Sequence, residues 1–412
     1  MIDGAGRTAV RPVGAGTARR SFDAPRNVGR HTASTARPAL TLVRERDRYS
    51  AVPSWHLPVT AGSRDGRRDD QVRIGILTGG GDCPGLNAVI RAVVLRAVRD
   101  HGWQVTGFRD GWRGVLEDHH VELEPARVRG ILARGGTILG SSRVNPDTLR
   151  ASIDTIRSVL ASNGIDALIP VGGEGTLQAA HWLSSHDIPV VGVPKTIDND
   201  IDCTDVTFGF DTAVEIATDA IDRLHTTAES HQRVMVVEVM GRHTGWIALH
   251  SALAAGAHQV LTPETPFDIE QVCAGLRRRF DEGDNFAVLV AAEGATPAPG
   301  TMPFDEGYID QFGHRRFAGI ARQLQAEIGR RLDREVTTTV LGHLQRGGTP
   351  TAYDRVLASR LGGRAVEAIR NGKYGTMSAL RGTQVELVPL VDAVARLKTV
   401  PGDTCAELSA LL

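Results

Sequence analysis

The stretch "VGVPKTIDND", Val191 to Asp200, ends an apolar run in a Pro, a Lys, a Thr and two Asp. Carboxylates just beyond a strand are placed for proton transfer or for a metal ion, which makes Asp198 and Asp200 candidates for either. Two glycine clusters follow other apolar runs. "GGGDCPGLN", with Gly80 and Gly81, follows "VRIGILT", and "GGEGT", Gly172 to Thr176, follows "DALIPV". Glycines let backbone amides approach an anion, and a helix starting there adds its N-terminal amides. A tight strand-to-helix turn would explain either cluster alone. Two clusters together with "PKTIDND" on a third strand end describe a polyphosphate site. The amides would serve the oxygens, Glu174 a magnesium ion, and Asp198 and Asp200 proton or metal work.

Cations complete this set. Of 47 Lys+Arg residues only three are lysines, Lys195, Lys373 and Lys398, so the lysine in "PKTIDND" is unusual for this chain. Arg143 ends "GGTILGSSR", Arg233 ends "SHQR", Arg242 lies in "EVMGRHTGW", and His343 and Arg346 lie in "LGHLQRGGTP". Lone arginines in an Arg-rich chain are ordinarily solvated. Most of these stand in Gly-flanked turns, and all lie near expected strand ends, where a planar fork can grip a phosphate. His243 and His343 fit a structural role as well as a chemical one.

The elements that must position these residues alternate along the chain. "VRIGILT", "WQVTGF", "DALIPV", "IPVVGV", "VMVVEV" and "FAVLVAA" are short apolar strands. Between them run helical patterns, such as Pro84 to Arg99 and the series Val214, Ala217, Ile221, Leu224. Uniformly apolar strands separated by helices predict an α/β protein with mainly parallel sheets covered on both faces. Ligands of such sheets bind beyond the carboxyl ends of the strands, where the motifs lie.

Bulk properties exclude other classes. The chain has 412 residues, 41% hydrophobic content and a formal net charge of −1, as expected of a globular protein with two or three domain-sized units. No basic field points to nucleic acid, and no apolar run approaches the ~18 residues of a membrane span. Four cysteines without a CxxC pair fit a reduced, cytoplasmic protein without a zinc site. Residues 1–70 carry thirteen Arg against seven Asp or Glu among Gly, Ala, Ser, Thr and Pro. They show no period of 2 or 3.6 and read as a disordered extension before one catalytic unit over 71–412.

Taken together, "LTGGGDCPGLNAVIR", "GGTILGSSR", "GGEGT", "PKTIDND", "VEVMGRHTGW" and "LGHLQRGGTPTAYDRVLASRLG" resemble the bacterial-type ATP-dependent 6-phosphofructokinases, in particular actinobacterial members, over about Val72 to Ala395. The resemblance implies two interleaved α/β lobes in a homo-oligomer with shared active sites. It implies transfer of a phosphoryl group to the 1-hydroxyl of fructose 6-phosphate. In that family Asp198 would be the general base, and Arg242 and Arg143 would stabilise the moving group. Gly80, Gly81, Arg143, Gly173, Glu174, Gly175, Thr176 and Lys195 would hold the donor, with Mg2+ at Glu174. Thr196, Ile197, Asp198, Met240, Gly241, Arg242, Glu293, His343, Leu344, Gln345 and Arg346 would hold the sugar phosphate. Arg233 and the position of Thr337 would serve the neighbouring subunit's site.

Several positions depart from the family pattern. Gly175 is the residue of ATP enzymes, whereas Lys195 is that of pyrophosphate enzymes; an Asp at position 175 would repel an α-phosphate, so Gly175 favours ATP. Glu174 replaces the usual Asp. Thr337 replaces an arginine that grips the sugar's phosphate. Leu95, Pro125, His225 and Asp284 replace cations of the effector site. The segment between Glu293 and His343 is roughly twenty residues longer than in short bacterial members; it reads as a loop followed by an amphipathic helix. A pyrophosphate-dependent enzyme and a catalytically weak regulatory paralogue are the alternative readings.

Overall fold

The computed structural model describes residues 72–309 and 315–412. The expected extension over 1–70 lies outside the described residues.

Among the described residues, thirteen strands form the framework. In chain order they are β1 (Arg73–Gly79), β2 (Gln104–Phe108), β3 (His120–Glu122), β4 (Ala167–Gly172), β5 (Val191–Pro194) and β6 (Val234–Val239). These are followed by β7 (Gln259–Leu261), β8 (Ala287–Ala292), β9 (Tyr308–Ile309), β10 (Arg315–Arg316), β11 (Val336–Val340), β12 (Thr376–Arg381) and β13 (Gln384–Pro389). One sheet has seven strands in the order β13-β12-β5-β4-β1-β2-β3, another four in the order β11-β6-β8-β7. The chain builds β1 to β5 in the first sheet, crosses to the second, and returns for β12 and β13. The two lobes are therefore interleaved, and these sheets are parallel except at β3 and β13, the two edges of the larger one. β9 and β10 form a separate two-stranded hairpin.

Five of the six expected strands match to within one residue at each end; "IPVVGV" begins later, at Val191. Pro189 has no amide for a ladder, and its carbonyl instead accepts from Leu168 N at 2.9 Å. Helices cover the faces as the apolar strands require. β8 is buried along its whole length, and Ile74, Ile76 and Leu77 of β1 are fully buried. Removing such side chains from water is worth about 1.5–3 kcal/mol each. The helix expected over Pro84 to Arg99 runs Leu86–Leu95 and continues as a wider turn to Asp100. The long helix Phe210–His231 buries Ala213, Ala217 and Ile221 at spacings of four. The extra segment after Glu293 ends, as expected, in an amphipathic helix, Ile320–Leu332, with Ile320, Leu324 and Ile328 buried.

Candidate active site

A cavity of about 470 Å³ lies where the carboxyl ends of β1, β4, β5 and β6 converge. Its first wall carries the glycine clusters. Beyond β1, Gly80 N donates to Ser142 O at 3.3 Å, and Ser141 Oγ donates to Gly80 O, which fixes the "GSSR" loop against the first cluster. Arg143 of that loop lines the cavity. Beyond β4 the helix Glu174–Ser184 begins at the wall, and no side chain caps it. Its first amides are a ready anion site. A Cβ on Gly175 would meet nothing within 4 Å, so this glycine borders open space; one on Gly81 would lie 2.8 Å from Arg346 Nη1.

Lys195 closes the same wall. It is 3% exposed, and its ammonium donates to Gly81 O. Burial holds its pKa below the ordinary lysine value, and the neighbouring Arg346 pushes in the same direction. Glu174 is exposed at the rim, where it accepts from Gln178 Nε2 at 3.0 Å.

The second wall is the turn after β5. Asp198 N donates to Thr196 Oγ1 at 3.0 Å, Thr207 Oγ1 to Thr196 O at 2.8 Å, and Thr244 Oγ1 to Asp198 O at 3.1 Å. These bonds fix the backbone and leave the carboxylates to the cavity. Asp198 Oδ1 and Asp200 Oδ1 are buried without a partner among the described residues, which for a carboxylate oxygen signals a place for a ligand or water. Burial, and then the charge of Asp198, push the Asp200 carboxyl up to about 7. The same two causes push Glu293, at the end of β8, up to about 7.

The third wall follows β6. Arg242 adopts a left-handed backbone conformation, φ 54°, with its amide donating to Glu293 Oε1 at 3.1 Å. Gly294 permits this: a Cβ there would lie 1.9 Å from Arg242 O. Met240, Arg242, His343 and Arg346 all face the cavity. One site thus combines glycine-rich turns at an uncapped helix start, several cationic side chains and a buried carboxylate oxygen without a partner among the described residues. That is the equipment of phosphoryl transfer, in which positioning and charge stabilisation do most of the work.

Residues 73–369 match the family described as phosphofructokinase. The chain belongs to that family. It is 64% identical over 341 residues to ATP-dependent 6-phosphofructokinase 3 of Streptomyces coelicolor, covering 83% of this chain and 100% of the relative. It is 61% identical over 331 residues to the ATP-dependent 6-phosphofructokinase of Mycobacterium tuberculosis, covering 80% and 96%. A pyrophosphate–fructose 6-phosphate 1-phosphotransferase of Streptomyces coelicolor is 57% identical over 330 residues, covering 80% and 96%. Among solved structures, phosphofructokinase from Saccharomyces cerevisiae superposes with a TM-score of 0.69 at 30% identity, covering 79% of this chain and 45% of that one.

Of the residues that the resemblance assigns to donor, metal or sugar phosphate, fifteen line this cavity: Gly80, Gly81, Arg143, Gly173, Glu174, Gly175, Thr176, Lys195, Thr196, Asp198, Met240, Arg242, Glu293, His343 and Arg346; Asp200, the other candidate carboxylate, lines it too. Six of the assigned residues do not. Ile197 and Gln345 are fully buried, Leu344 is exposed, and Gly241 shapes the turn before Arg242. Arg233 and Thr337 stand at the opposite, amino end of the four-stranded sheet, since Arg233 precedes β6 and Thr337 is the second residue of β11. There Arg233 Nη1 donates to Thr337 Oγ1 at 3.1 Å and pairs with Glu335 Oε1 at 3.1 Å.

The cavity also includes residues that the sequence motifs do not single out, among them Asn145, Gln178, Glu238 and Phe317. Asn145 caps the helix Pro146–Ala151 by accepting from Asp147 N at 2.8 Å, and the "NPD" signature carries that signal. Glu238 is 6% exposed inside β6, and its Oε2 accepts from Ala321 N at 2.9 Å, at the start of the helix Ile320–Leu332. A carboxylate in a run of valines is the clue to it. Phe317 comes from the extra segment and packs beside the His243 ring, 6.1 Å between centroids. It has no local signal.

Proposed function

We infer that the protein is an ATP-dependent 6-phosphofructokinase, which forms fructose 1,6-bisphosphate in the committed step of glycolysis. The observation that carries this reading is that the glycine-cluster wall and the unpartnered carboxylate of Asp198 face one cavity. Asp198 accepts the proton of the sugar's 1-hydroxyl. The oxygen attacks the terminal phosphorus of ATP, a new P–O bond forms as the bond to the bridging oxygen breaks, and ADP leaves. A positioned base of this kind contributes about 10²–10⁴ in rate. Arg143 and Arg242 carry the charge that spreads over the transferred group. The first amides of the helix Glu174–Ser184, with Gly80 and Gly81, hold the donor's phosphates, and Lys195 braces the cradle through Gly81 O. Met240, Arg242, Glu293, His343 and Arg346 hold the sugar phosphate.

Glu174 is one exposed carboxylate beside this cradle, and the described residues contain no group of three or more His, Cys, Asp or Glu side chains placed to enclose a metal. One carboxylate plus substrate phosphates fits Mg2+, which keeps several waters and is rarely caged by protein alone. When bound, the ion would neutralise charge on the donor's phosphates. Open space at Gly175 supports a nucleotide donor over pyrophosphate. Arg233 and Thr337 support shared sites in a homo-oligomer, because they lie at the far end of the sheet from the cavity of their own chain. Four free cysteines support a reducing, cytoplasmic setting; no helix among the described residues is long and apolar enough to cross a membrane.

Initial rates of purified enzyme with fructose 6-phosphate and either Mg-ATP or Mg-pyrophosphate test this directly. Turnover with ATP at least tenfold above that with pyrophosphate is expected. The reverse preference overturns the donor assignment, and no turnover with either supports the regulatory paralogue.

A further inference from the structure

Lys398 is a lysine near the site with no part in the chemistry above, and it lies beyond residues 73–369 that match the family. It sits on a C-terminal strap laid across the catalytic turn. Leu397 bridges antiparallel to Ile201, Lys398 N donates to Asp200 O at 2.9 Å, and Arg396 pairs with Asp202. The Lys398 ammonium makes three hydrogen bonds of 2.9 Å, to Asn199 Oδ1, Thr204 O and Asp205 O. All three of its donors are thereby used. The strap grips the second lobe as well. Trp246 Nε1 donates to Lys398 O at 3.0 Å, and the ammonium lies 5.5 Å from the centroid of the Trp246 ring. Val400 N donates at 3.0 Å to Glu264 Oε1, which also accepts from Gly245 N at 2.9 Å.

Asn199 links this strap to the chemistry. It stands between Asp198 and Asp200 in a left-handed conformation, φ 53°. Such a backbone is strained for a residue with a side chain and persists only where its surroundings hold it. Two groups hold it here: Asn199 Oδ1 accepts from Thr207 N at 3.1 Å and from Lys398 Nζ. Three convergent acceptors suit a compact ammonium and not a planar guanidinium. A chain that uses arginine for nearly every cation has a lysine here.

We propose that Lys398 is a positioning residue for phosphoryl transfer: by holding Asn199 and the carbonyls of Thr204 and Asp205, it fixes the backbone that presents Asp198. The C-terminal strap is part of the working site. This rests on the assignment of Asp198 as the base.

Lys398→Met keeps the length and apolar stem of the side chain and removes the three bonds. Its kcat with fructose 6-phosphate and Mg-ATP falls at least about tenfold, while both KM values stay within about threefold. Asn199→Ala lowers kcat similarly, and the double variant loses clearly less than the product of the two single losses, because the two side chains share the Lys398–Asn199 bond. A kcat within about threefold of wild type in Lys398→Met, with only the melting temperature lowered, overturns the proposal, as do additive losses in the cycle. Should Lys398→Met be insoluble, Lys398→Arg combined with Asn199→Ala gives the same cycle, with the same results supporting or overturning the proposal. Wild-type protein without turnover overturns the functional reading and this proposal with it; active wild type with unaffected variants overturns this proposal alone.

Discussion

The four-stranded sheet meets charged groups at both of its ends, and the two ends are built differently. At the carboxyl ends of β6 and β8, Arg242 and Glu293 face a cavity whose other walls come from the seven-stranded sheet of the same chain. At the amino ends of β6 and β11, Arg233 has Glu335 and Thr337 as neighbours, and its Nε is buried without a partner among the described residues. The first end is a whole site. On the proposed reading the second is half of one: a cation with a buried Nε, set apart from the cavity of its own chain. In the proposed oligomer a second copy would complete it. If that oligomer forms, the difference teaches that a binding residue and the cavity it serves need not belong to one chain.

The largest expected effect tests the whole site. Asp198→Asn removes the base without changing its shape, so kcat should fall about 10²–10⁴ with ATP binding nearly unchanged. Its melting temperature should hold or rise, because a charge that crowds Asp200 and Glu293 is gone. Turnover within about tenfold of wild type removes Asp198 from the role. Gly175→Asp comes next. The new Cβ enters open space, so the fold should be unaffected. Its carboxylate would stand beside the donor's phosphates, where two unit charges about 4 Å apart cost about 4 kcal/mol at an effective dielectric of about 20. ATP kcat/KM should fall at least about tenfold, and more than any pyrophosphate activity. Equal losses for both donors break the argument from Gly175.

The contrast between the ends also explains what the sequence disclosed. β1, β4, β6 and β8 are apolar runs closed by glycines or by charged and polar residues, and the groups at the whole site follow them within a few positions. Local patterns there signal both strand and function. β11 is "VTTTV", half polar, and carries no apolar strand signal of its own. β12 returns to pair with β5 after a long excursion, so that pairing is a tertiary fact, whereas β13 follows β12 directly as an antiparallel hairpin. Lys398 has no local sign of its role, because its partners are about two hundred residues earlier in the chain. Phe317 reaches the cavity through a segment whose course no period announces. Arg233 is legible as a cation near a strand, but its separation from the cavity needs the parallel register of β6 and β11.

Thr337→Arg sharpens the half-site. A second guanidinium beside Arg233 would be offset by Glu335 in the free protein and used by a phosphate from a partner's substrate. A charge-assisted hydrogen bond is worth roughly 1.5–3 kcal/mol, and the ordering of a long side chain offsets part of it. The expected outcome is an apparent KM for fructose 6-phosphate lower by about tenfold. Arg334 is the other candidate for that cation; its guanidinium lies 4.3 Å from the centroid of the Phe280 ring, which favours Thr337→Arg as the change that matters. Arg334→Ala should leave that KM unchanged. A rise there, with no response to Thr337→Arg, would place the second phosphate cation at Arg334.

The smallest effect separates the ends by charge. At the half-site unlike charges are paired; at the whole site carboxylates crowd one another. Glu293 is held up to about 7 from its ordinary 4.5, first by burial and then by Asp198. A carboxyl whose folded pKa is raised binds its proton more tightly in the folded state. Its contribution to stability is therefore fully present below about pH 4.5 and is lost as pH rises through about 7. Glu293→Gln keeps an acceptor for the Arg242 amide and removes the titration. Between about pH 5 and 7.5, without ligands, the melting temperature of the variant should gain roughly 2–4 °C on wild type. Glu335→Gln at the other end should show no such gain, because it removes the partner of Arg233 and relieves no crowding. Parallel pH profiles for wild type and Glu293→Gln would mean that the cluster is solvated well enough to ionise freely, and that the contrast in charge between the two ends is smaller than their geometry implies.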